Sequence, residues 1–210
     1  MMKVVLLLMG VWACSSVSYA VWDYTIGDGQ YEYGSVRLYN DKTLLVTGGG
    51  AYGVEAFDSS YVKVQGTAPL EIDVGGIYVL DLDDSSSLLV TGGEIGGIAF
   101  RDNATAVLRG GSILHISSFQ RPLGGDYPPS YWDKHITIEY SGELPTVDGD
   151  NLLTGLWPDG SAFSIQLHDG AGVFYPAITN IEFVPEPMTL LLFGFGGLAV
   201  RELGKRSQLK

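Results

Sequence analysis

The chain has 210 residues, 29 of them glycine, and its formal net charge is −12. This length fits one moderate domain or two small ones. The acidic excess argues against a surface for nucleic acid or anionic membranes, and it suits cations, cationic partners or neutral glycans better. Short runs rich in valine, isoleucine, tyrosine and threonine, with only 17% charged residues, predict an all-β protein.

Residues 1–20 have the features of a secretion signal. One lysine precedes an apolar run, and small residues occupy the two positions that a signal peptidase reads, so we predict cleavage after Ala20. A buried N-terminal strand or helix is an alternative. Lipoprotein processing at Cys14 is another, which the bulk of Trp12 disfavours. Cleavage after Ala20 would leave a mature chain without cysteine, and residues 21–187 carry 7 basic and 23 acidic side chains.

Residues 21–124 contain an internal repeat of two blocks. The segment TLLVTGG begins at Thr43, and SLLVTGG begins at Ser87. Each block splits into two units that share an Asp or Asn, a polar turn, an alternating apolar strand and a glycine. The strands end before glycines whose spacing is short, long and short again, at Gly48, Gly66, Gly92 and Gly110. A fifth run, SILHISS at 112–118, extends the series.

Strand-sized units that recur about every 20 residues predict a short parallel β-solenoid of four to five rungs. An antiparallel meander with hairpins at the Gly-Gly pairs is the alternative. We favour the solenoid because two alternating spacings fit stacked rungs better than regular hairpins. The Gly-Gly pairs lack the Lys-Ser/Thr and the helix of a phosphate loop.

The alternation within each strand predicts which side chains face the core. Val62 and Val64 are expected inward, with Lys63 outward between them. Leu45 and Leu89 occupy equivalent positions, so they are expected on the same side of the stack. The pattern does not decide whether these two leucines or their N-terminal neighbours face inward.

Acidic residues precede each strand of the repeat. A carboxylate at these positions can bond the backbone of the turn, so we expect capped turns at Asp41, Asp58, Asp84 and Asp102.

Residues 125–184 break the repeat and predict a small β cap over the open end of the solenoid. A connector rich in proline, glycine and aromatic residues is followed by four strand-like runs. The tetrapeptide WPDG at 157–160 predicts a turn between two of these strands.

Histidine and serine patterns give no sign of catalysis. His115, His135 and His168 show no metal-ligand spacing, and no G-x-S-x-G elbow is present. We therefore predict that the protein is not an enzyme and needs no cofactor.

Two acidic clusters are candidate Ca²⁺ sites, although neither has the spacing of an EF-hand loop. They are Asp81-Asp83-Asp84 and Asp148-Gly149-Asp150, and we favour solvated acidic turns for both. Aromatic side chains that could stack on sugar rings or anchor connectors are Tyr31, Tyr33, Tyr127, Tyr131 and Trp132.

Residues 185–210 form a distinct ending. Pro185, Glu186 and Pro187 precede an apolar run at 188–200, which is followed by a tail with four basic residues. As a helix this run spans about 20 Å, against about 30 Å for a hydrocarbon core. The basic flank on its C-terminal side predicts a cytoplasmic tail, with residues 21–187 outside.

This ending resembles the PEP-CTERM sorting signal. The resemblance implies recognition of Pro185, Glu186 and Pro187 by an exosortase, a membrane-embedded transpeptidase or cysteine protease of Gram-negative bacteria that make extracellular polysaccharide. It implies a precursor exported through the inner membrane, anchored by the C-terminal helix within 185–210, and then delivered to the cell surface or extracellular matrix.

These features together predict a secreted, acidic surface or matrix protein. We expect a structural or adhesive role within extracellular polysaccharide, with exosortase as a transient partner. The alternative is a glycan-binding or glycan-processing solenoid, such as a lyase or hydrolase.

Overall fold

The computed structural model describes residues 21–71, 75–118, 135–168 and 177–186. Within these ranges the chain forms fifteen β strands in two sheets, with one 3-10 helix at Ala177–Asn180. Sheet A contains, in hydrogen-bonded order, β1 (Tyr24–Ile26), β3 (Thr43–Val46), β5 (Tyr61–Val64), β7 (Ser87–Val90), β9 (Thr105–Leu108), β11 (Ile136–Tyr140) and β15 (Ile181–Pro185). Sheet B contains β12 (Thr146–Val147), β13 (Leu152–Leu156), β14 (Ala162–His168), β10 (Ser112–Ser118), β8 (Glu94–Phe100), β6 (Gly76–Leu82), β4 (Gly50–Ala56) and β2 (Tyr31–Leu38). The predicted all-β class is confirmed for these residues.

Consecutive strands from β1 to β10 alternate between the two sheets, and their neighbours within each sheet are parallel. The antiparallel meander that the sequence left open is therefore wrong for this part of the chain. The run SILHISS forms β10, but it belongs to sheet B, whereas the four repeated strands belong to sheet A.

The spacing of the repeat sets the register of sheet A. Leu44 pairs with Val62, Val62 with Leu88, and Leu88 with Ala106, so the strands follow the same short, long and short steps as the glycines. The longer step holds a loop between β5 and β6. The carboxylate of Glu94 fastens this loop by accepting a hydrogen bond from the N–H of Leu70 at 2.7 Å.

The core lies between the inward faces of the two sheets. Val62 and Val64 are fully buried, and Lys63 between them is partly exposed, so the predicted strand orientation is confirmed. Leu44 and Leu88 are the inward leucines. Their neighbours Leu45 and Leu89 lie together on the outer face, in register with Lys63, because adjacent strand residues face opposite sides.

The turns before the repeated strands form a ladder, which we call the Asx ladder, made of Asn40, Asp58, Asp84 and Asp102. All four residues have positive φ, a conformation that Asn and Asp tolerate better than other side chains. The N–H of Asn40 donates to Asp58 Oδ2 at 2.8 Å, and the N–H of Asp58 donates to Asp84 Oδ2 at 3.2 Å. Each of these carboxylates thus bonds the neighbouring turn, whereas the sequence predicted a bond within its own turn. The first member of the ladder is Asn40, in place of the expected Asp41.

The strands of sheet B bend where two consecutive residues point away from the core. In β6, Ile77 and Leu80 are buried, with partly exposed Tyr78 and exposed Val79 between them. The ladder to β4 likewise pairs Ile77 and Val79 but omits Tyr78. In a regular strand, only one outward residue would lie between two buried ones. The additional outward residue makes the strand bend, and the bend produces a ridge on the outer surface of sheet B.

The strands after residue 135 extend both sheets. Strand β11 continues sheet A, and β14 pairs with β10 in sheet B. Strands β12, β13 and β14 are antiparallel, and the predicted WPDG turn joins β13 to β14. Trp157 in this turn is buried, and its Nε1–H donates to the carbonyl of Gly111 at 2.9 Å. This bond fastens the hairpin to the corner that precedes β10.

Several predicted segments lie outside the described residues. They are the signal sequence 1–20, the whole connector at 125–134, and the apolar run and basic tail at 188–210. The four described ranges hold no helix of sufficient length and apolarity to cross a bilayer.

Candidate functional sites

The predicted sorting motif begins inside the last strand. Pro185 is the final residue of β15, where it pairs with Tyr140. The N–H of Glu186 donates to the carbonyl of Tyr140 at 2.8 Å. Among the described strands β15 is an edge of sheet A, a position that tolerates a proline because no ladder bond is lost on the open side. Pro187 lies outside the described residues. The first residue of the motif is thus the last residue of β15, and no linker separates the strand from the motif.

A row of exposed and partly exposed tyrosines follows the bend of sheet B. We call it the tyrosine ridge and define it as Tyr33, Tyr52 and Tyr78, which lie on neighbouring strands β2, β4 and β6. Tyr33 is 73% exposed and Tyr52 is 57% exposed. The rings of Tyr52 and Tyr78 stack with centroids 6.2 Å apart and planes 21° apart. Such a row offers both apolar ring surface and phenolic hydroxyl groups to a partner.

Beside the line of the ridge, the row of sheet B that contains Gly53 and Val79 continues to Gly97 and His115. Gly97 in β8 pairs with His115 in β10, and a Cβ at Gly97 would lie 2.1 Å from His115 Nε2. The imidazole therefore lies directly over the glycine, and any side chain there would displace it. Leu114, which is exposed, is the adjacent large apolar side chain on β10.

A charged column borders the ridge. Arg37, Glu55 and Asp81 occupy consecutive strands of sheet B, and Arg37 Nε lies 2.9 Å from Glu55 Oε2. Burial raises the pKa of the Asp81 carboxyl above its ordinary value, and the charges of Glu55 and Asp83 add to this, while Arg101 opposes it. Three carboxylates, of Glu55, Asp81 and Asp83, face two guanidinium groups, of Arg37 and Arg101, so this border has a small excess of acidic groups. This excess favours an uncharged ligand over an anionic one at the ridge.

The acidic cluster at 81–84 is divided between separate roles. Arg101 approaches Asp83 at 3.4 Å and Asp81 at 3.9 Å, so a guanidinium lies between these two carboxylates. Asp84 instead belongs to the Asx ladder and accepts from the N–H of Asp58. In the part of the chain that the structure describes, no group of three or more His, Cys, Asp or Glu side chains could hold a metal ion.

The second acidic cluster is a capped turn. Asp148 Oδ1 accepts hydrogen bonds from the N–H groups of Asp150 and Leu152, both at 2.9 Å. This geometry matches the acidic turn that the sequence favoured at 148–150.

Two of the three histidines meet across sheet B. The rings of His115 and His168 form an edge-to-face pair with centroids 4.9 Å apart, on the adjacent strands β10 and β14. Burial lowers the pKa of His115, and the charge of His168 lowers it further. Sequence spacing could not reveal this pair, because its members lie far apart in the chain. His135 lies apart from it, just before β11.

A cavity of about 300 Å³ opens on the outer side of sheet A, at the end where β1 begins. Its walls are Val21, Trp22, Thr43, Tyr61 and Lys63. The rings of Trp22 and Tyr61 stack with centroids 5.6 Å apart and planes 25° apart. A second cavity of about 380 Å³ lies beside Trp157 and Phe163, and none of the described residues that line it is charged.

The candidate aromatic residues of the sequence are only partly the ones that the structure brings together. Tyr33 lies on the ridge, and half-buried Tyr31 packs edge-to-face against it at 5.1 Å. Tyr127, Tyr131 and Trp132 lie outside the described residues. Sequence reasoning missed Tyr52 and Tyr78. Their separation along the chain equals the long step of the repeat, from Val62 in β5 to Leu88 in β7, and this equality was the signal that could have found them.

Comparison of the chain with protein-family models, with curated proteins and with solved structures gives no match.

Proposed function

We propose that the chain is an exported cell-surface or matrix protein, built as a short parallel β-solenoid and sorted by an exosortase. Its role is structural or adhesive, within extracellular polysaccharide. The signal-like residues 1–20, the Pro-Glu-Pro motif with its apolar run and basic tail, and the regular parallel sheets support this proposal together.

The solenoid part rests on the alternation of strands between the sheets. Each pair from β1/β2 to β9/β10 gives one strand to sheet A and the next to sheet B, which corresponds to five successive coils. The Asx ladder supports the same interpretation. Its hydrogen bonds run from the backbone N–H of one turn to the carboxylate of the equivalent turn in the next coil.

One observation supports the sorting part most directly: the motif begins where the last strand ends. The N–H of Glu186 donates a hydrogen bond to the carbonyl of Tyr140, and the residues after Glu186 belong to no described strand. Cleavage on the C-terminal side of Glu186 would therefore leave every described strand of both sheets in the released protein.

The sorting part is tested by replacing both prolines of the motif with alanine. We expect the Pro185→Ala/Pro187→Ala chain to accumulate as an uncut, membrane-retained precursor in the native host, measured by immunoblots of membrane and released fractions. Pro69→Ala is the matched control, since Pro69 is an exposed proline outside the motif. Normal cleavage and release of the double variant would refute exosortase recognition.

The adhesive part is supported by the tyrosine ridge, which presents aromatic surface on a rigid sheet. We expect the chain to co-sediment with purified exopolysaccharide of its host and the Tyr33→Ala/Tyr52→Ala variant to do so much less. Leu144→Ala removes an equally exposed apolar side chain elsewhere and serves as the control. Release of reducing or unsaturated sugars in the same assay would favour the glycan-processing alternative instead.

A further inference from the structure

Lys63 differs from the other cationic side chains of the described residues. In the ranges 21–71, 75–118, 135–168 and 177–186 there are five lysines and arginines, and four of them form ion pairs, namely Arg37, Lys42, Arg101 and Arg109. Lys63 has no acidic partner in these ranges, although it is partly buried and the chain has twice as many acidic as basic residues. The positive charge of Lys63 is therefore not neutralised by an acidic side chain of these ranges, and it would attract an anion at this position.

The surroundings of Lys63 form a cavity with aromatic walls. Lys63 and Tyr61 project from the outer face of β5, and Trp22 stacks on Tyr61. The volume of about 300 Å³ is at the lower end of the range for small-molecule sites. A cation beside two flat apolar rings matches a ligand that carries a negative charge on a ring-shaped body.

The wall formed by Trp22 is held in place by its neighbour Asp23. The Asp23 carboxylate accepts hydrogen bonds from Lys42 Nζ at 2.7 Å, and from the N–H and the hydroxyl of Thr43, both at 3.0 Å. These bonds satisfy the Asp23 charge, so it does not need Lys63 as a partner. They also fasten the segment before β1 to sheet A, which preforms the cavity and lowers the entropy cost of binding.

We propose that this cavity binds a carboxylate-bearing sugar residue, such as a uronic acid of an acidic polysaccharide. The Lys63 ammonium binds the carboxylate, while Trp22 and Tyr61 pack against the C–H groups of the sugar ring. A neutral sugar would leave Lys63 without its anion, and a small inorganic anion would leave the aromatic walls unused. Cleavage after Ala20 would add the α-ammonium group of Val21 to the same cavity, and only this addition depends on the proposed export.

The site is tested by calorimetric titration of the full-length chain, purified in a neutral detergent. The probes are a tetramer of galacturonic acid, a neutral galactose tetramer and acetate. We expect Lys63→Gln and Trp22→Leu each to weaken binding of the acidic tetramer at least about tenfold, and added NaCl to weaken it further. Arg37→Gln removes a cation on sheet B and should change this affinity little. A neutral tetramer that binds at the tyrosine ridge should keep its affinity in Lys63→Gln.

Two results would overturn the proposal. Equal affinity of Lys63→Gln and the unaltered chain for the acidic tetramer, including no binding by either, would remove the site. Acetate binding as tightly as the tetramer would remove the sugar from the proposal. Neither result bears on sorting, because the full-length chain is used and membrane retention of the Pro185→Ala/Pro187→Ala variant is measured separately.

Discussion

The repeated part of the chain, β3 to β10, and the part after residue 135 contribute to the same two sheets but use different sequence distances. Within the repeat, parallel neighbours alternate between a short step, as from Leu44 to Val62, and a longer one, as from Val62 to Leu88. The later pairings of β9 with β11, β11 with β15 and β10 with β14 each span more of the chain than either step. Longer closures cost somewhat more chain entropy. The comparison indicates that the repeat distributes its stability over equivalent layers, whereas the later strands depend on a few specific anchors.

The largest effect is expected at the anchor of the later strands. Trp157→Ala removes a buried ring and its hydrogen bond to Gly111, and it should lower the free energy of unfolding by about 3–5 kcal/mol. Leu144→Ala, at an exposed position in the same region, should cost less than about 0.5 kcal/mol. Urea unfolding of the two variants measures the difference, and similar costs would show that Trp157 is not an anchor.

A smaller effect is expected for single layers of the repeat. Val64→Ala truncates a fully buried side chain, and it should cost about 1–3 kcal/mol. Its neighbour Lys63 faces outward, so Lys63→Ala should cost under about 0.5 kcal/mol. Val90→Ala, at the buried register partner of Val64 on the neighbouring strand β7, should resemble Val64→Ala. Urea melts that rank Lys63→Ala equal to or above Val64→Ala would contradict the register.

The Asx ladder should contribute less per residue. Asp84→Ala loses both the bond from the Asp58 N–H and a side chain suited to positive φ, for a cost of about 1–2 kcal/mol. Asp84→Gly keeps the backbone freedom and loses only the bond, so it should cost less than Asp84→Ala. Thermal unfolding of both variants gives the ranking. The reverse order would mean that the backbone conformation at this turn contributes nothing.

The smallest effect is a pH dependence at the junction of β10 and β14. Burial, and secondarily the charge of His168, hold the pKa of His115 below its ordinary value of 6.5. As the pH falls, the unfolded chain therefore takes up this proton first. The contribution of His115 is complete above pH 6.5 and is lost as the pH falls from there to the lower folded pKa.

Melting temperatures at about pH 7.5 and about pH 5 test this dependence. The unaltered chain should lose slightly more stability between the two than His115→Gln does. The difference should be small, because solvent screens a partly exposed imidazole. Equal losses would contradict a lowered pKa of His115 in the folded chain.

Repetition explains why some of the fold could be predicted. The alternating short and long spacings of the glycines match the register of sheet A. The alternation at Val62, Lys63 and Val64 correctly predicted which side chains of β5 face the core. Both signals are local, since a strand sends alternate side chains to opposite sides. The bend of sheet B could not be predicted in this way, because two consecutive outward residues at Tyr78 and Val79 break the alternation.

By itself, the sequence determined that the chain is rich in strands, where the repeated strands lie and which side chains of β5 are buried, because these properties depend on local pattern. Tertiary structure decided that the strands pair in parallel, that His115 meets His168, and that Trp22 stacks on Tyr61 beside Lys63, which has no acidic partner among the described residues. These features depend on backbone pairing and on contacts between residues far apart in the chain. A composition or spacing signal contains no information about which distant side chains will share one surface.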